Sequence, residues 1–508
     1  MAEKNTADIG FEKEIWDAAC VLRGNLDASE YKNVILGLIF LKYISDSFNQ
    51  KYKELVEEGE GFEEDRDEYT SENIFFVPQG ARWSDIAAKS SSAEIGVVID
   101  NAMEAIEKEN KKELDGILPK NFARPELDKR RLGEVVDLFN NIKMDEGTDE
   151  KDLLGRTYEY CLRNFAAQEG KNAGQFYTPS CIVRTIVEIL QPFNGRVYDP
   201  CCGAGGMFVQ SAEFIKKHQG NINNISIYGQ ESNPTTWKMA KMNLAIRGID
   251  CNLGKIPDDT FLNDQHPTMR ADYIMANPPF NLTPWGAKDL NGDQRWKYGM
   301  PPANNANFAW IQHMIWHLTP RGRMGMVLAN GSLSSQTGGE GDIRKNIIEA
   351  DLIEGIVSLP DKLFYTTGIP VCLWFINKNK KHKGKTLFID ARKMGTMVTR
   401  SLRELTDGSI DPNNNDIKLL ADTFKAFEDG TLEDVEGFCK VVSTEDIAKQ
   451  DYILTPGRYV GLEKKEYDDE PFEDKMDCLT SELSELFEKN HKLEIEIRKV
   501  LRDIGYEI

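Results

Sequence analysis

Apolar residues in the first third of the chain recur at helical spacing. From Phe11 to Phe48 the positions Ile15, Ala18, Ala19, Leu22, Val34, Leu38, Leu41 and Ile44 follow this pattern without a proline. Such a stripe predicts helices that bury one face. Leu127 to Phe139 and Lys151 to Phe165 repeat the pattern, so residues 1–165 are expected to form a helical N-terminal domain. The acidic stretch from Glu54 to Glu72 reads as a solvated loop or helix face.

Near Gly174 the pattern changes to short β-rich runs. Arg196–Tyr198, Ile225–Gly229, Tyr273–Met275, Met324–Leu328, Leu352–Leu359 and Val371–Ile376 are strand candidates, most of them separated by helical stretches. That alternation predicts an open α/β sheet with crossover helices, here placed in residues 166–470. Ligands of such sheets gather at the carboxyl ends of the strands. The basic run Lys378–Lys385 reads as a solvated hairpin turn in preference to a phosphate contact, and residues 411–416 as a loop.

Residues 471–508 carry a third pattern. Met476, Leu479, Leu483, Leu486, Asn490, Leu493, Ile497, Val500 and Ile504 alternate at spacings of three and four. This is a heptad seam with one polar member, Asn490, of the kind that fixes register or partner choice. It suits either a helix docked on a partner or one packed on its own domain.

The 508 residues have room for about three domains. Apolar runs such as Val34–Leu41 fall far short of the ~18 residues that span a bilayer. The start, Met1-Ala2-Glu3-Lys4, has no basic region followed by an apolar stretch, so neither a membrane span nor export is expected. Nine scattered cysteines without a Cys-x-x-Cys pair read as reduced thiols in a cytoplasmic protein. His313 and His317 lie four apart on a predicted helix, but no acidic or cysteine partner is evident nearby in sequence. No metal is expected. With 62 basic and 83 acidic side chains the net charge is −21. Affinity for nucleic acid comes largely from neutralised phosphates, so any such role requires local basic patches or a partner that supplies them.

Three motifs stand at predicted strand ends. The first, Asp199-Pro200-Cys201-Cys202-Gly203-Ala204-Gly205-Gly206, lies between a strand and a helical stretch. Its glycines permit a tight turn and close approach to a ligand. It is neither a Gly-x-Gly-x-x-Gly fingerprint nor a phosphate loop, since no Gly-Lys-Ser/Thr follows. Read alone it is a nucleoside-type cofactor turn or a structural turn. The second is Glu231, after the next strand, where a carboxylate can accept from both hydroxyls of a ribose. The third, Asn277-Pro278-Pro279-Phe280, ends a buried strand. Two prolines force the chain out of the sheet and fix the directions of the Asn277 side chain and the Pro278 carbonyl. Two acceptors beside the aromatic face of Phe280 suit a planar amine on a flat ring.

In this order the motifs resemble the amino-group DNA methyltransferases that use S-adenosylmethionine. Gly174-Gln175-Phe176-Tyr177-Thr178-Pro179 is similar to the segment that closes over the cofactor in that class. Phe11-Glu12-x-x-x-Trp16, Leu22-Arg23-Gly24 and Asn305–His313 extend the resemblance to the modification subunit of type I restriction–modification systems, over essentially the whole chain. Cys201-Cys202 departs slightly from the Ala-Cys or Ala-Ala more usual there. The resemblance implies a Rossmann-like catalytic domain between a helical N-terminal domain and a C-terminal helix that docks the partner. It implies cofactor contacts from Gln175, Phe176, Tyr177, Thr178, Pro179 and Ser180, and from Asp199, Gly203, Ala204, Gly205 and Gly206. Glu231 would hold the ribose, and Asp259 would lie near the adenine. Asn277, Pro278, Pro279 and Phe280 would form the catalytic set, Phe280 stacking on a flipped target adenine in double-stranded DNA.

The implied partners are a DNA specificity subunit, an ATP-dependent restriction (nuclease) subunit and a second copy of the chain. Because Asn-Pro-Pro-Phe suits any planar amine, cytosine N4 and a protein glutamine amide stay open as substrates. A catalytically silent scaffold that binds the cofactor for structure is a rival of another class.

Overall fold

A computed structural model describes residues 16, 20, 22, 28–141, 157–162, 164–165, 178–218, 220–364, 368–400, 402–409, 411–461 and 472–503. They fall into two compact units, one up to Gly461 and one from Leu462 onward.

The first unit opens with helix α1 (Ala28–Glu58), which runs ten residues past the stripe that predicted it. Its segment Val34–Leu41 is buried throughout, as expected of a helix that is apolar on every side. Helices α2 (Ile95–Glu109) and α3 (Lys129–Asn141) pack together beside the short helix Trp83–Ala87. The acidic stretch is the mostly exposed end of α1, the loop after it and a short helix, Arg66–Thr70.

The sheet follows. Its strands are β1 (Gly195–Asp199), β2 (Ile225–Gly229), β3 (Cys251–Asn252), β4 (Ala271–Ala276), β5 (Leu318–Ala329), β6 (Ile353–Ser358), β7 (Val371–Asn377) and β8 (Lys385–Asp390). A separate ribbon pairs β9 (Thr396–Met397) with β10 (Arg403–Glu404), and β11 (Cys439–Ser443) returns to the main sheet at one edge. The order is β11-β8-β6-β7-β5-β4-β1-β2-β3. Only β7 and β11 run antiparallel to their neighbours, so the other strands of this sheet end at one edge of it. Every strand candidate from the sequence is present, whereas β3 and β8 to β11 were not foreseen.

Alternate residues on the strands feed two cores. Val197, Met275, Val327 and Leu373 join an apolar cluster that continues into α1 through Ile35 and Phe40. Tyr198, Ile274, Met324 and Trp374 join a second cluster with helix α7 (Asn307–His317) on the opposite face. The remaining long helices of this unit are α4 (Ser180–Leu190), α5 (Gly206–Lys217), α6 (Pro234–Ile246), α8 (Glu340–Glu349) and α9 (Asp416–Asp429). The N-terminal helices therefore share a core with one face of the sheet, and the expected α/β architecture with a helical N-terminal region is present.

The basic run after β7 is corrected. β7 and β8 are not neighbours, since β6 lies between them, so residues 378–384 cross the end of β6 instead of forming a hairpin turn. Lys380 is buried and paired with Asp351 at 2.5 Å, and Lys378 donates to the Leu318 carbonyl at 2.8 Å. Two of its lysines are thus tied into the fold. Of residues 411–416, Asp416 belongs to α9, with Asn415 capping its start.

The described residues of the second unit form one long helix, α10 (Phe472–Asp503). Along it Met476, Leu483, Leu486, Leu493 and Ile497 are exposed, as is Asn490.

Close backbone approach supplies a test of the N-terminal packing. A Cβ on Gly96 of α2 would lie 2.2 Å from the Phe122 carbonyl oxygen, in a loop whose Phe122 and Ala123 N–H groups are held by Asp100. The loop cannot retreat without breaking those bonds. Gly96→Ala should lower stability by about 1–3 kcal/mol despite alanine's better helix propensity. Equilibrium denaturation would measure it, and an unchanged midpoint would refute this packing.

Candidate active site

The site grows from the parallel pairing of β1 with β4, in register Val197↔Tyr273 and Tyr198↔Ile274. β1 also pairs with β2 on its other side. Strand order reverses at β1, and in open α/β sheets the crevice for ligands opens outside the carboxyl ends at such a point. β1 ends at Asp199 and β4 ends one residue before Asn277.

The glycine turn occupies this crevice. Gly203 and Gly205 have φ of +54° and +82°, a left-handed backbone that side chains resist, and Gly205 caps the start of α5. A Cβ on Gly206 would meet no atom within 4 Å, so its missing side chain leaves open space above the turn. The turn is held from beneath by hydrogen bonds. Asp199 Oδ1 accepts from Cys201 N at 3.0 Å, Cys202 N donates to the Gln230 carbonyl at 2.9 Å, and Thr260 Oγ1 donates to the Pro200 carbonyl at 2.6 Å. Glu231 Oε2 accepts from Gly203 N at 3.1 Å, while Oε1 accepts from Asn233 N at 2.8 Å.

Thr178, Asp199, Gly203, Ala204, Gly206 and Asn277 line one cavity. Pro179 and Ser180 lie beside Thr178 at the start of α4. Glu231 adjoins the cavity through its bond to Gly203. Asp259 does not line it. Its Oδ1 accepts from Phe261 N and Leu262 N, shaping its own turn, and Asp258 N donates to the Glu231 carbonyl at 3.2 Å. Gln175, Phe176 and Tyr177 lie outside the described residues. Five lining residues outside the quoted motifs were missed in the sequence, two of them Met207 and Val209 of α5. Glu159 and Leu162 come from the helical region assigned to the N-terminal domain, and Asn243 of α6 donates to the Ala204 carbonyl at 2.7 Å. An asparagine inside the apolar run Met239–Ile246 was the one available signal for it.

Asn277 Nδ2 donates to Thr178 Oγ1 at 2.9 Å. That bond fixes the amide, and its buried Oδ1 has no hydrogen-bond donor among the described residues. Pro278 is buried, Pro279 is half-buried, and the Phe280 ring meets Phe364 edge-on with centroids 6.0 Å apart. The exit of this segment is clamped. Asn281 has φ +54°, its N–H donates to Asn307 Oδ1 at 3.0 Å, and its Oδ1 accepts from Asn305 and Asn307. The Asn305–His313 stretch singled out in the sequence thus braces the segment Asn277–Phe280.

Charge in the crevice is costly. Burial, reinforced by Glu231 and partly offset by the Cys201 N–H, pushes the Asp199 carboxyl up to about 7. Burial also raises Glu231, and it holds the Cys201 and Cys202 thiols well above the ordinary range, so they stay protonated. Two carboxyl groups beside a glycine turn suit a ligand bearing positive charge and hydroxyl donors. A buried amide acceptor beside them suits an amine.

The histidine pair is also corrected. It has an acidic partner, Asp264, whose Oδ2 lies 2.9 Å from His317 Nε2. The partner is remote in sequence, which hid it. Ligand atoms of Asp264, His313 and His317 lie within 4.8 Å of one another, but every ring nitrogen is already engaged. His317 Nδ1 meets the Met269 carbonyl at 3.1 Å, and His313 Nε2 meets Tyr198 Oη at 3.2 Å. Arg295 Nη1 donates to His313 Nδ1 at 3.1 Å, setting a fixed positive charge against the group. Burial, then His317, lowers His313 well below the usual imidazole range, so it is neutral. These residues form a hydrogen-bonded brace beneath β1.

The family described as N-6 DNA Methylase matches residues 149–468, and the HsdM N-terminal domain matches residues 11–139. The chain is 49% identical over 453 residues to the type I restriction enzyme HindI methylase subunit of Haemophilus influenzae, covering 85% of this chain and 100% of that protein. It is 39% identical over 522 residues to the MjaIX methylase subunit of Methanocaldococcus jannaschii, covering 98% of this chain and 92% of that protein. The fold matches the solved methyltransferase subunit of a type I restriction–modification system from Streptococcus thermophilus with a TM-score of 0.75, at 24% identity and covering 89% of this chain and 99% of that one. The fold and crevice are those of an N6-adenine DNA methyltransferase that takes its methyl group from S-adenosylmethionine. The chain belongs to the methylase subunits of type I restriction–modification systems.

A carboxyl whose pKa is higher folded than unfolded binds more protons in the folded state. Stability from Asp199 is therefore greatest at low pH and is lost as pH rises from about 4 to about 7. Asp199→Asn removes this loss while keeping an acceptor for Cys201 N. Its stability advantage over wild type without ligand should grow by about 2 kcal/mol between about pH 5.5 and about pH 8.5. Denaturant midpoints at the two pH values would show it, and an advantage that shrinks would contradict the assignment.

Proposed function

We propose that Asn277, Pro278, Pro279 and Phe280 bind and activate the target adenine, while the crevice over the glycine turn holds the methyl donor. The observation that carries this reading is the buried, open Asn277 Oδ1, fixed by Thr178 at the rim of that crevice. S-adenosylmethionine, when bound, supplies a methyl group made electrophilic by its sulfonium. Among the predicted contacts, Thr178 to Ser180, Asp199 and Gly203 to Gly206 would enclose it, and Gln175, Phe176 and Tyr177 are expected to contact it as well. Glu231 would accept from its ribose hydroxyls, and Asp259 lies on the turn beside Glu231, near where its adenine would rest.

The chain's own contribution is electrostatic. An adenine amino nitrogen shares its lone pair with the ring and is a poor nucleophile. Acceptors at Asn277 Oδ1 and the Pro278 carbonyl hold its two N–H groups and favour a pyramidal nitrogen. Those bonds strengthen as positive charge builds on nitrogen, so they stabilise the transition state more than the ground state. The target atom is buried in a duplex, so the base must leave the stack, and Phe280 gives it a face to lie on.

Asn277→Ala should lower the methylation rate at least about a hundredfold. Donor affinity, measured by calorimetry, should stay within about threefold, because only uniform binding would change it. Near-normal turnover would refute the role of Asn277. Mass spectrometry of the product nucleosides separates N6-methyladenine from N4-methylcytosine.

The same reading assigns partners. The acidic chain would work in the cytoplasm with a DNA specificity subunit that reads the site, a second copy of itself, and an ATP-dependent restriction subunit. Under this reading residues 1–165 close around DNA, residues 166–470 carry out catalysis, and residues 471–508 dock the partner. The exposed heptad seam of α10, with Asn490 setting register, suits a helical partner. Deleting residues 474–508 should abolish co-purification with the specificity subunit, and undiminished assembly would rule the docking role out.

A further inference from the structure

From Arg392 to Glu404 the sequence holds four basic residues and one acidic one, Glu404, in a chain of net charge −21, and Arg392 is paired with Asp390 at 2.6 Å. This segment carries the small hairpin of β9 and β10. Its turn is closed by Val398 N donating to the Leu402 carbonyl at 2.9 Å and by Leu402 N donating to Thr399 Oγ1 at 3.0 Å. Met397 and Val398 are 41% and 58% exposed, beside the exposed Arg400. Large apolar side chains held out on a basic projection do nothing for the core.

The hairpin's position is informative. It follows β8 at the sheet edge where Asp199 and Asn277 also stand. Arg403 N donates to the Lys362 carbonyl at 2.8 Å, and the same loop carries Phe364, which meets Phe280. Beyond β10, Asp407 pairs with Arg184 of α4, the helix that begins just after Thr178. The hairpin is therefore anchored both to the loop against Phe280 and to the helix behind the partner of Asn277.

We propose that Met397 and Val398 form a wedge that enters the duplex where the target adenine leaves it, with Arg400 on a neighbouring phosphate. This inference rests on the base-flipping reading above. Extracting a base leaves a gap in the stack, and an apolar side chain in that gap offsets the lost stacking. Methionine suits this position because its unbranched, polarisable chain adapts to base faces. The basic flank matches the charge of a phosphate backbone and would repel a cationic surface.

The test uses the chain assembled with its specificity subunit and duplexes carrying 2-aminopurine at the target position, alongside adenine duplexes for methylation. With the Met397→Ala/Val398→Ala variant, methylation of intact duplex should fall at least about tenfold and the 2-aminopurine fluorescence should fall with it. Opposite an abasic site, where the target is already unpaired, the variant should remain within about threefold of wild type. Met397→Leu should restore the intact-duplex rate, and thermal midpoints and donor affinity should match wild type throughout. An equal loss on both duplexes, or no loss, would overturn the wedge. Active wild-type enzyme with no fluorescence rise would overturn the flipping reading and the wedge with it, an outcome visible before any variant is made.

Discussion

The parallel pairing of β1 with β4 is the constraint on which the site depends. Asp199 and Asn277 are remote in sequence, yet two register pairs set their strand ends side by side. Each strand end then departs by force. The prolines of Asn277-Pro278-Pro279-Phe280 cannot continue a sheet, and Gly203 and Gly205 turn the other strand into α5 through left-handed backbone. What remains between the two exits is the crevice. A shift of one residue in this register would turn every side chain of β4 to the other core. Val197, Met275 and Val327 on one face, and Tyr198, Ile274 and Met324 on the other, therefore hold the site together by holding the register.

A second layer of polar bonds makes this geometry rigid. Arg295, buried in the loop after the tetrapeptide, donates to the Thr260 and Phe261 carbonyls and to Asp293, and it reaches His313. His317 answers Asp264, whose carboxyl burial pushes up but the His317 hydrogen bond holds below the usual carboxylate range. Through Thr260 the same brace reaches the Pro200 carbonyl in the glycine turn. Buried polar groups of this kind are costly unless every partner is present. Here their positions link helix α7 to both exits of the crevice, which explains why a stretch with no reactive group, Asn305–His313, bears on the chemistry.

Much of this was legible in the sequence, for physical reasons. Proline pairs, glycine turns and runs of β-branched residues act locally, so the strand ends at Asp199 and Asn277 and the strand candidates could be read directly. Long-range partners could not. Nothing near His313 or His317 announces Asp264, and nothing in Lys151–Phe165 shows that Glu159 and Leu162 reach the cavity. The lysine run after β7 misled because composition predicts solvation, while the crossing over β6 required Lys380 to be buried against Asp351. β11 was missed because edge pairing is settled by neighbours more than by the strand's own residues. The carboxylate of Asp259 shapes its own turn while its neighbour Asp258 touches the Glu231 backbone, a contact between segments remote in sequence that no motif announces.

The charge of −21 and the chemistry of DNA methylation pull in opposite directions, and a local element offers a way to reconcile them. A uniformly basic chain would hold DNA tightly at every sequence, because phosphate contacts carry affinity without specificity. An acidic chain is repelled from most of the duplex, and it can engage only where a local cationic element or a bound partner offsets that repulsion. Under the wedge proposal the hairpin of β9 and β10 would be such an element, following β8 at the sheet edge where Asp199 and Asn277 stand. Repulsion over the bulk of the surface and attraction at the mouth of the crevice would make productive contact depend on a partner that has already chosen the site. On that proposal the acidity would act as a selectivity device: it would suppress methylation of unselected DNA without altering the active site itself.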